Sequence, residues 1–150
     1  LKPVELNGYP QWLLIRGQDV SKPVLLYLHG GPGEPNMWLA HYTMKELEQH
    51  FVCVNWDQRG AGRSLRPGPN PATMTIEQFV NDTIALIELL LARFGQKKLF
   101  PLGHSWGSTL AMKVGYMGNG LPPVRCTRIF HWGLHTLSAI QNAFSGKLGV

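Results

Sequence analysis

The sequence predicts an α/β domain built on a mostly parallel sheet with helices on both faces. Three observations carry this. The runs Val24–Leu28 (Val-Leu-Leu-Tyr-Leu) and Phe51–Asn55 (Phe-Val-Cys-Val-Asn) are apolar almost without alternation, as strands buried on both faces are. Between Ile76 and Phe94, apolar residues recur at helical spacing. Strand and helix patterns then alternate along the chain, and parallel neighbours need such crossovers.

The elements follow in order. Val4–Leu6 and Gln11–Arg16 read as short strands around a turn at Asn7-Gly8, a pair that favours tight hairpins. The strand Val24–Leu28 leads into a loop, His29-Gly30-Gly31-Pro32-Gly33-Glu34-Pro35. Trp38–His50 reads as a short helix, Phe51–Asn55 as the next strand, and Asp57–Pro71 as a loop rich in Gly, Pro and Arg. The helix Ile76–Phe94 places Ile76, Phe79, Val80, Thr83, Ile84, Ile87, Leu90, Leu91 and Phe94 on one side. Thr75 and Gln78 have the spacing of a capping box, and Gly95 is a stop. Asp82 and Glu88 are expected on its solvated face. Lys98–Leu102 is a further short strand, Gly103–Gly107 a tight turn and Ser108–Met117 a second helix. Residues 1–117 are assigned to this core and 118–150 to a tail without a clear pattern. In that tail Arg125–Trp132 is a poor candidate for one more buried strand. The sheet is therefore expected to end at Lys98–Leu102, leaving an apolar edge that favours association.

Bulk composition excludes several classes. A chain of 150 residues, 44% of them hydrophobic, suffices for one core. It has no apolar run long enough for a membrane span and no signal-peptide pattern. It starts at Leu1, so it is expected to begin within a longer protein or after processing. The net charge is +5, but the basic residues form no run or stripe, and no nucleic-acid partner is expected. Cys53 and Cys126 are the only cysteines. Cys53 lies in a strand pattern and reads as a small core residue. Two cysteines make neither a disulfide scaffold nor a metal site, so a reducing, cytoplasmic setting without metal or cofactor is expected.

Chemistry concentrates at Gly103-His104-Ser105-Trp106-Gly107. A serine hydroxyl is a weak nucleophile and needs exposure, a base and donors for the developing oxyanion. A sharp strand-to-helix turn exposes it, provided that the residues two before and two after are small; here they are Gly103 and Gly107. The following helix directs its positive end at the site, and the N–H of Trp106 becomes an oxyanion donor. The glycine-rich loop at 29–33 follows a strand where hydrolases of this turn type place a second donor, and the N–H of Gly31 is the best placed. Alone, that loop also reads as an ordinary strand-ending turn. In the run Trp56-Asp57-Gln58-Arg59-Gly60-Ala61-Gly62-Arg63-Ser64, Asp57 and Arg59 are expected to pair and stiffen the loop.

Together, His-Gly-Gly-Pro-Gly at 29–33, the 56–64 run and Gly-His-Ser-Trp-Gly-Ser at 103–108 resemble the proline iminopeptidases, serine peptidases of the α/β-hydrolase fold. The resemblance covers about Val4 to Met117. It implies release of an N-terminal residue, often proline, from a small peptide. It also implies Ser105 as nucleophile with Gly31 and Trp106 as oxyanion donors. The family contains amidases and esterases as well.

The chain departs from the family after Met117. The family continues with a cap, a triad acid and a triad histidine, in the order serine, acid, histidine. Here Glu88 is the last acidic residue, while Arg93, Lys97, Lys98, Lys113, Arg125, Arg128 and Lys147 follow. The usual triad is therefore not completed, although His131 and His135 lie downstream as candidate bases. The leading reading is the N-terminal portion of a proline-iminopeptidase-like hydrolase, incomplete at its C-terminus. The alternatives are an esterase or amidase of the same fold, or a non-catalytic relative that binds a ligand. Oligomeric state and substrate-binding residues stay open.

Overall fold

The computed structural model describes residues 1–67 and 70–115 and the backbone of 116–117 and 130–131. Six strands form one sheet: β1 (Lys2–Leu6), β2 (Tyr9–Arg16), β3 (Val24–Leu28), β4 (Val52–Asp57), β5 (Phe100–Gly103) and β6 (Phe130–His131). Their spatial order is β1-β2-β4-β3-β5-β6. The pairs β1/β2 and β2/β4 are antiparallel, and β4/β3, β3/β5 and β5/β6 are parallel. The mostly parallel sheet read from the sequence is thus present, with an antiparallel hairpin on one side. Asn7 and Gly8 both have positive φ, 49° and 71°, which the two-residue turn between Leu6 and Tyr9 requires.

Every residue of β3, β4 and β5 is buried. Successive side chains alternate between two cores. Val24, Leu26 and Leu28 face one cluster with Val52, Val54, Phe79, Leu86, Leu90 and Leu110. Leu25 and Tyr27 face the other, with Cys53, Met44, Leu47, Phe51, Phe100 and Leu102. The first is covered by α2 (Ile76–Phe94) and α3 (Trp106–Met117). The second is covered by the segment before β4. Cys53 is the core residue expected, and burial pushes its thiol up to about 12.

α2 has the expected bounds. The Thr75 hydroxyl accepts from the N–H of Gln78 at 3.2 Å, and Gly95 ends the helix at φ 61°. The capping box is only half made, because the Gln78 amide donates forward to Asp82 at 2.9 Å.

Four expectations are corrected. The single helix over Trp38–His50 is instead a 3₁₀ turn (Met37–Leu39), a one-turn α1 (Ala40–Thr43) and a second 3₁₀ turn (Leu47–Gln49). Its buried anchors Ala40, Met44 and Leu47 keep helical spacing, but the Thr43 hydroxyl bonds back to the Leu39 carbonyl, an arrangement that bends helices. The sheet does not end at β5, since β6 pairs Phe130 with Leu102 and His131 with Gly103. The remainder of the Arg125–Trp132 expectation lies outside the described residues, as do Cys126 and His135. Asp82 does not face solvent, whereas Glu88 does. Arg59 pairs with Asp82 rather than with Asp57.

Asp82 is fully buried and is the hub of a polar network. Its carboxylate accepts from Arg59 Nε at 2.7 Å and Nη2 at 3.0 Å, Asn7 at 2.8 Å and Gln11 at 2.7 Å, besides Gln78. Gln11 in turn accepts from the Trp56 indole at 3.0 Å. The Arg59 guanidinium also lies over the Tyr9 ring, 4.6 Å from its centroid. The network joins the β1–β2 hairpin, β4, the loop after β4 and α2. Removing one member of a buried pair leaves the other charge uncompensated. Asp82→Ala is expected to lower stability by about 3–5 kcal/mol, read as a drop in the urea midpoint at unchanged slope.

Candidate active site

Ser105 stands between β5 and α3, exposed, with φ 50°. Among the described non-glycine residues only Asn7 shares a positive φ, and Asn7 belongs to a hairpin turn where that is ordinary. Steric fit dictates the two flanking glycines. A Cβ at Gly103 would lie 2.5 Å from the Ser108 nitrogen and 2.6 Å from the Gly107 carbonyl carbon. A Cβ at Gly107 would overlap the carbonyl oxygen of Leu28. The turn is further held by His104 N–H donating to Leu28 O at 3.0 Å and the Ser108 hydroxyl donating to Gly103 O at 3.0 Å. Trp106 opens α3, so its N–H precedes the intrahelical ladder.

The glycine-rich loop meets this turn because β3 and β5 are parallel neighbours in register, Leu28 opposite Gly103. Both chains leave the sheet at the same edge, where ligand sites of open α/β sheets form. Gly30 sits against His104, whose Nδ1 would be 3.0 Å from a Cβ there. Gly31 has φ 106°, and a Cβ on it would fall 2.6 Å from the Gly33 nitrogen. The loop then curls, with Glu34 N–H donating to Gly30 O at 3.3 Å. The loop that carries Gly31 and the turn that carries Ser105 and Trp106 therefore meet, in contact at Gly30 and His104.

Two residues escaped the sequence reading. His29 is buried; its Nδ1 lies 2.9 Å from Gly30 O, and its Nε2 accepts from the Gln58 N–H at 3.1 Å. These contacts require the neutral Nδ1–H tautomer. Burial lowers the His29 pKa, opposed by the Gly30 contact and by the charges of Asp57 and Glu34. Gln58, fully buried, donates through its side-chain amide to His29 O at 3.1 Å and accepts from the Trp106 indole N–H at 3.1 Å. Trp106 also packs edge-to-face on Phe79, centroids 5.8 Å apart. No local pattern in the sequence marks these contacts, since 29 and 58 lie on separate loops and 106 opens α3.

Asp57 carries no partner on Oδ1, while Oδ2 accepts from the Arg63 N–H at 2.9 Å. Burial raises its pKa, against the Arg63 N–H and the charges of His29 and Arg63. The loop closes over it because Gly62, at φ 50°, leaves room for the carboxylate. Ser64 completes the closure, donating to Asp57 O at 2.5 Å and accepting from the Trp12 N–H at 2.9 Å. Of the candidate bases, His131 has its backbone in β6 opposite Gly103, and its side chain lies outside the described residues. No cluster of metal-ligating side chains occurs among the described residues, and no helix among them is long and apolar enough to cross a membrane.

A strained serine turn beside a glycine-rich loop at the strand ends is the arrangement found in the α/β-hydrolase fold. The model of the alpha/beta hydrolase fold matches residues 23–127, and the chain belongs to that family. It is 46% identical over 114 residues to a probable aminopeptidase of Bacillus subtilis (strain 168), covering 76% of this chain and 36% of the relative. It is 36% identical over 107 residues to a proline iminopeptidase of Lactobacillus helveticus, covering 70% and 34%. The chain thus spans about a third of the length of these curated relatives. Among solved structures it resembles a proline iminopeptidase-related protein of Thermus thermophilus, with TM-score 0.65 and 30% identity over 80% of this chain and 40% of that one. It also resembles an epoxide hydrolase from hot-environment metagenomes, with TM-score 0.63 and 29% identity over 80% and 38%.

Two outcomes follow. Gly107→Ala is expected to abolish soluble folded protein, whereas Gly115→Ala, whose Cβ meets nothing within 4 Å, is expected to fold and to gain up to about 1 kcal/mol; expression and melting compare them. Because the folded state holds His29 below its ordinary value of 6.5, the unfolded chain binds more protons below that pH. His29 therefore removes stability as pH falls through about 6.5, while Asp57, raised in the fold, acts in the opposite sense at lower pH. The difference in stability between wild type and His29→Gln across pH 7.5 to 5 isolates the His29 contribution, which is expected to grow more unfavourable towards acid.

Proposed function

We propose that this chain supplies the nucleophile and oxyanion-binding part of a serine hydrolase of the proline iminopeptidase type. On this reading Ser105 attacks the carbonyl of an N-terminal residue, often proline, in a small peptide. The N–H groups of Gly31 and Trp106 receive the charge that develops on the carbonyl oxygen. The single observation that carries the reading is the strained, exposed Ser105 at the head of α3, beside the glycine-rich loop. The aminopeptidase and proline iminopeptidase names of the relatives support the substrate class. Residues 1–117 are taken as the N-terminal part of the hydrolase core and 118–150 stay unassigned apart from β6, and the setting is taken as cytoplasmic. No acidic residue follows Glu88, so a serine–acid–histidine order is not completed within these residues. A site lacking a triad member keeps oxyanion-hole catalysis on the order of 10³–10⁴ over water in well-studied serine proteases.

The epoxide hydrolase neighbour is a reason to keep a second reading, an ester- or amide-cleaving hydrolase of the same fold, because it shows that hydrolases on this scaffold differ in substrate. A fluorophosphonate probe with peptide mapping tests both. Slow labelling of Ser105 and none in Ser105→Ala are expected, together with measurable release of naphthylamine from proline naphthylamide. Folded protein that leaves Ser105 unlabelled would remove the hydrolase reading. Labelling with turnover of a p-nitrophenyl ester but not of the proline amide would favour the second.

A further inference from the structure

We infer that Gln58 is a positioning residue that sets the separation of the two oxyanion donors. This rests on the hydrolase reading above, in which the N–H groups of Gly31 and Trp106 are those donors. One belongs to a loop and the other to the head of α3, 75 residues apart in the chain, and an oxyanion is stabilised only when both point at one atom. The β3/β5 register sets their spacing coarsely. Fine adjustment needs a rigid link between the loops themselves, and Gln58 is that link.

Its geometry is specific. The carboxamide is planar, and its two ends are used at once: Nε2 donates to His29 O at 3.1 Å, and Oε1 accepts from the Trp106 indole at 3.1 Å. The backbone N–H of the same residue donates to His29 Nε2 at 3.1 Å, so Gln58 grips both ends of His29. His29 is two residues before Gly31, and Trp106 is itself the other donor residue. Gln58 is fully buried, so water does not compete for these bonds. The side chain next along, Arg59, is fixed on Asp82 by two bonds, which anchors the loop from behind. Trp106 is held from a third direction by the Phe79 ring. Gln58 touches no reacting atom, so it acts through the loops.

A residue that only aims donors at a developing charge affects the transition state and not ground-state binding. The test uses the full 150-residue chain with Gln58→Leu, Gln58→Glu and Trp106→Phe. The last deletes the indole donor but keeps the Trp106-position backbone N–H and an aromatic ring on Phe79. Folding is checked by urea midpoint, and the Trp106 indole resonance in ¹H–¹⁵N spectra, assigned by its absence in Trp106→Phe, reports the bond to Gln58. Expected results are an upfield shift of that resonance in Gln58→Leu and a fall of about 10- to 100-fold in the maximal rate of fluorophosphonate labelling of Ser105, with half-saturating probe concentration changed less than twofold. Gln58→Glu keeps the acceptor for the indole but loses the neutral donor to His29 O. Its labelling is expected to recover relative to wild type as pH falls and the carboxyl regains a proton to donate. Trp106→Phe carries the test where the Gln58 variants are unstable.

The outcomes separate the two readings. If wild type does not label, the hydrolase reading falls, and this inference with it. If wild type labels, and folded Gln58→Leu and Trp106→Phe label at its rate, the positioning role alone is overturned. A loss confined to half-saturation would also overturn it, because that is the mark of a binding residue.

Discussion

The carboxylate of Asp82 is the point on which the rest of the molecule hangs. It gathers donors from Asn7, Gln11, Arg59 and Gln78, which come from the hairpin turn, β2, the loop after β4 and α2. A buried ion pair is a poor source of net stability, because desolvation offsets most of the Coulomb attraction. Its value is in what it forbids. Five directional donors fit one carboxylate in one arrangement, so the hairpin, the loop and the helix have a single mutual placement. An apolar contact of equal size would allow them to slide.

That placement reaches the candidate site through one peptide. Arg59 goes to Asp82 and its neighbour Gln58 goes to His29 and Trp106. The loop after β4 thus connects a rigid structural hub to the glycine-rich loop and to the head of α3. The turn at Ser105 is over-determined in a different way, by contact. Gly103 and Gly107 let the turn close until Gly107 rests on the end of β3, and the resulting strain at Ser105 is held by packing on the backbone. Hydrogen bonds set one half of the site and steric fit the other.

Much of this was legible in the residue pattern. The buried strands, the hairpin turn, α2 with its ends and the turn at Ser105 all rest on local rules, and each falls within a few residues of its expected position. Asp82 was misread because a charged helical residue is ordinarily placed outside. Its spacing pointed the other way: it lies three residues after Phe79 and four before Leu86, both buried, and so on the apolar side of α2. All of its donors but Gln78 come from other elements, up to 75 residues away, and nothing local announces those. Pairing Asp57 with Arg59 failed for a related reason. Nearness in sequence suggested the bond, but Arg59 reaches the hub while Asp57 is enclosed by Gly62, Arg63 and Ser64. The segment before β4 shows the limit of periodicity, since three anchors at helical spacing fix where side chains go and not whether the backbone between them stays helical.

Cys53 is the second residue of β4 and is buried, with its thiol pushed up to about 12 by that burial. Thiol reagents attack the thiolate, which this position withholds at neutral pH. The alkylation rate of Cys53 is therefore scaled down by the fraction of time for which the sheet parts around it. With Cys126 replaced by serine, the chain carries its own clock of core opening, timed at the strand that ends where the Gln58 loop begins.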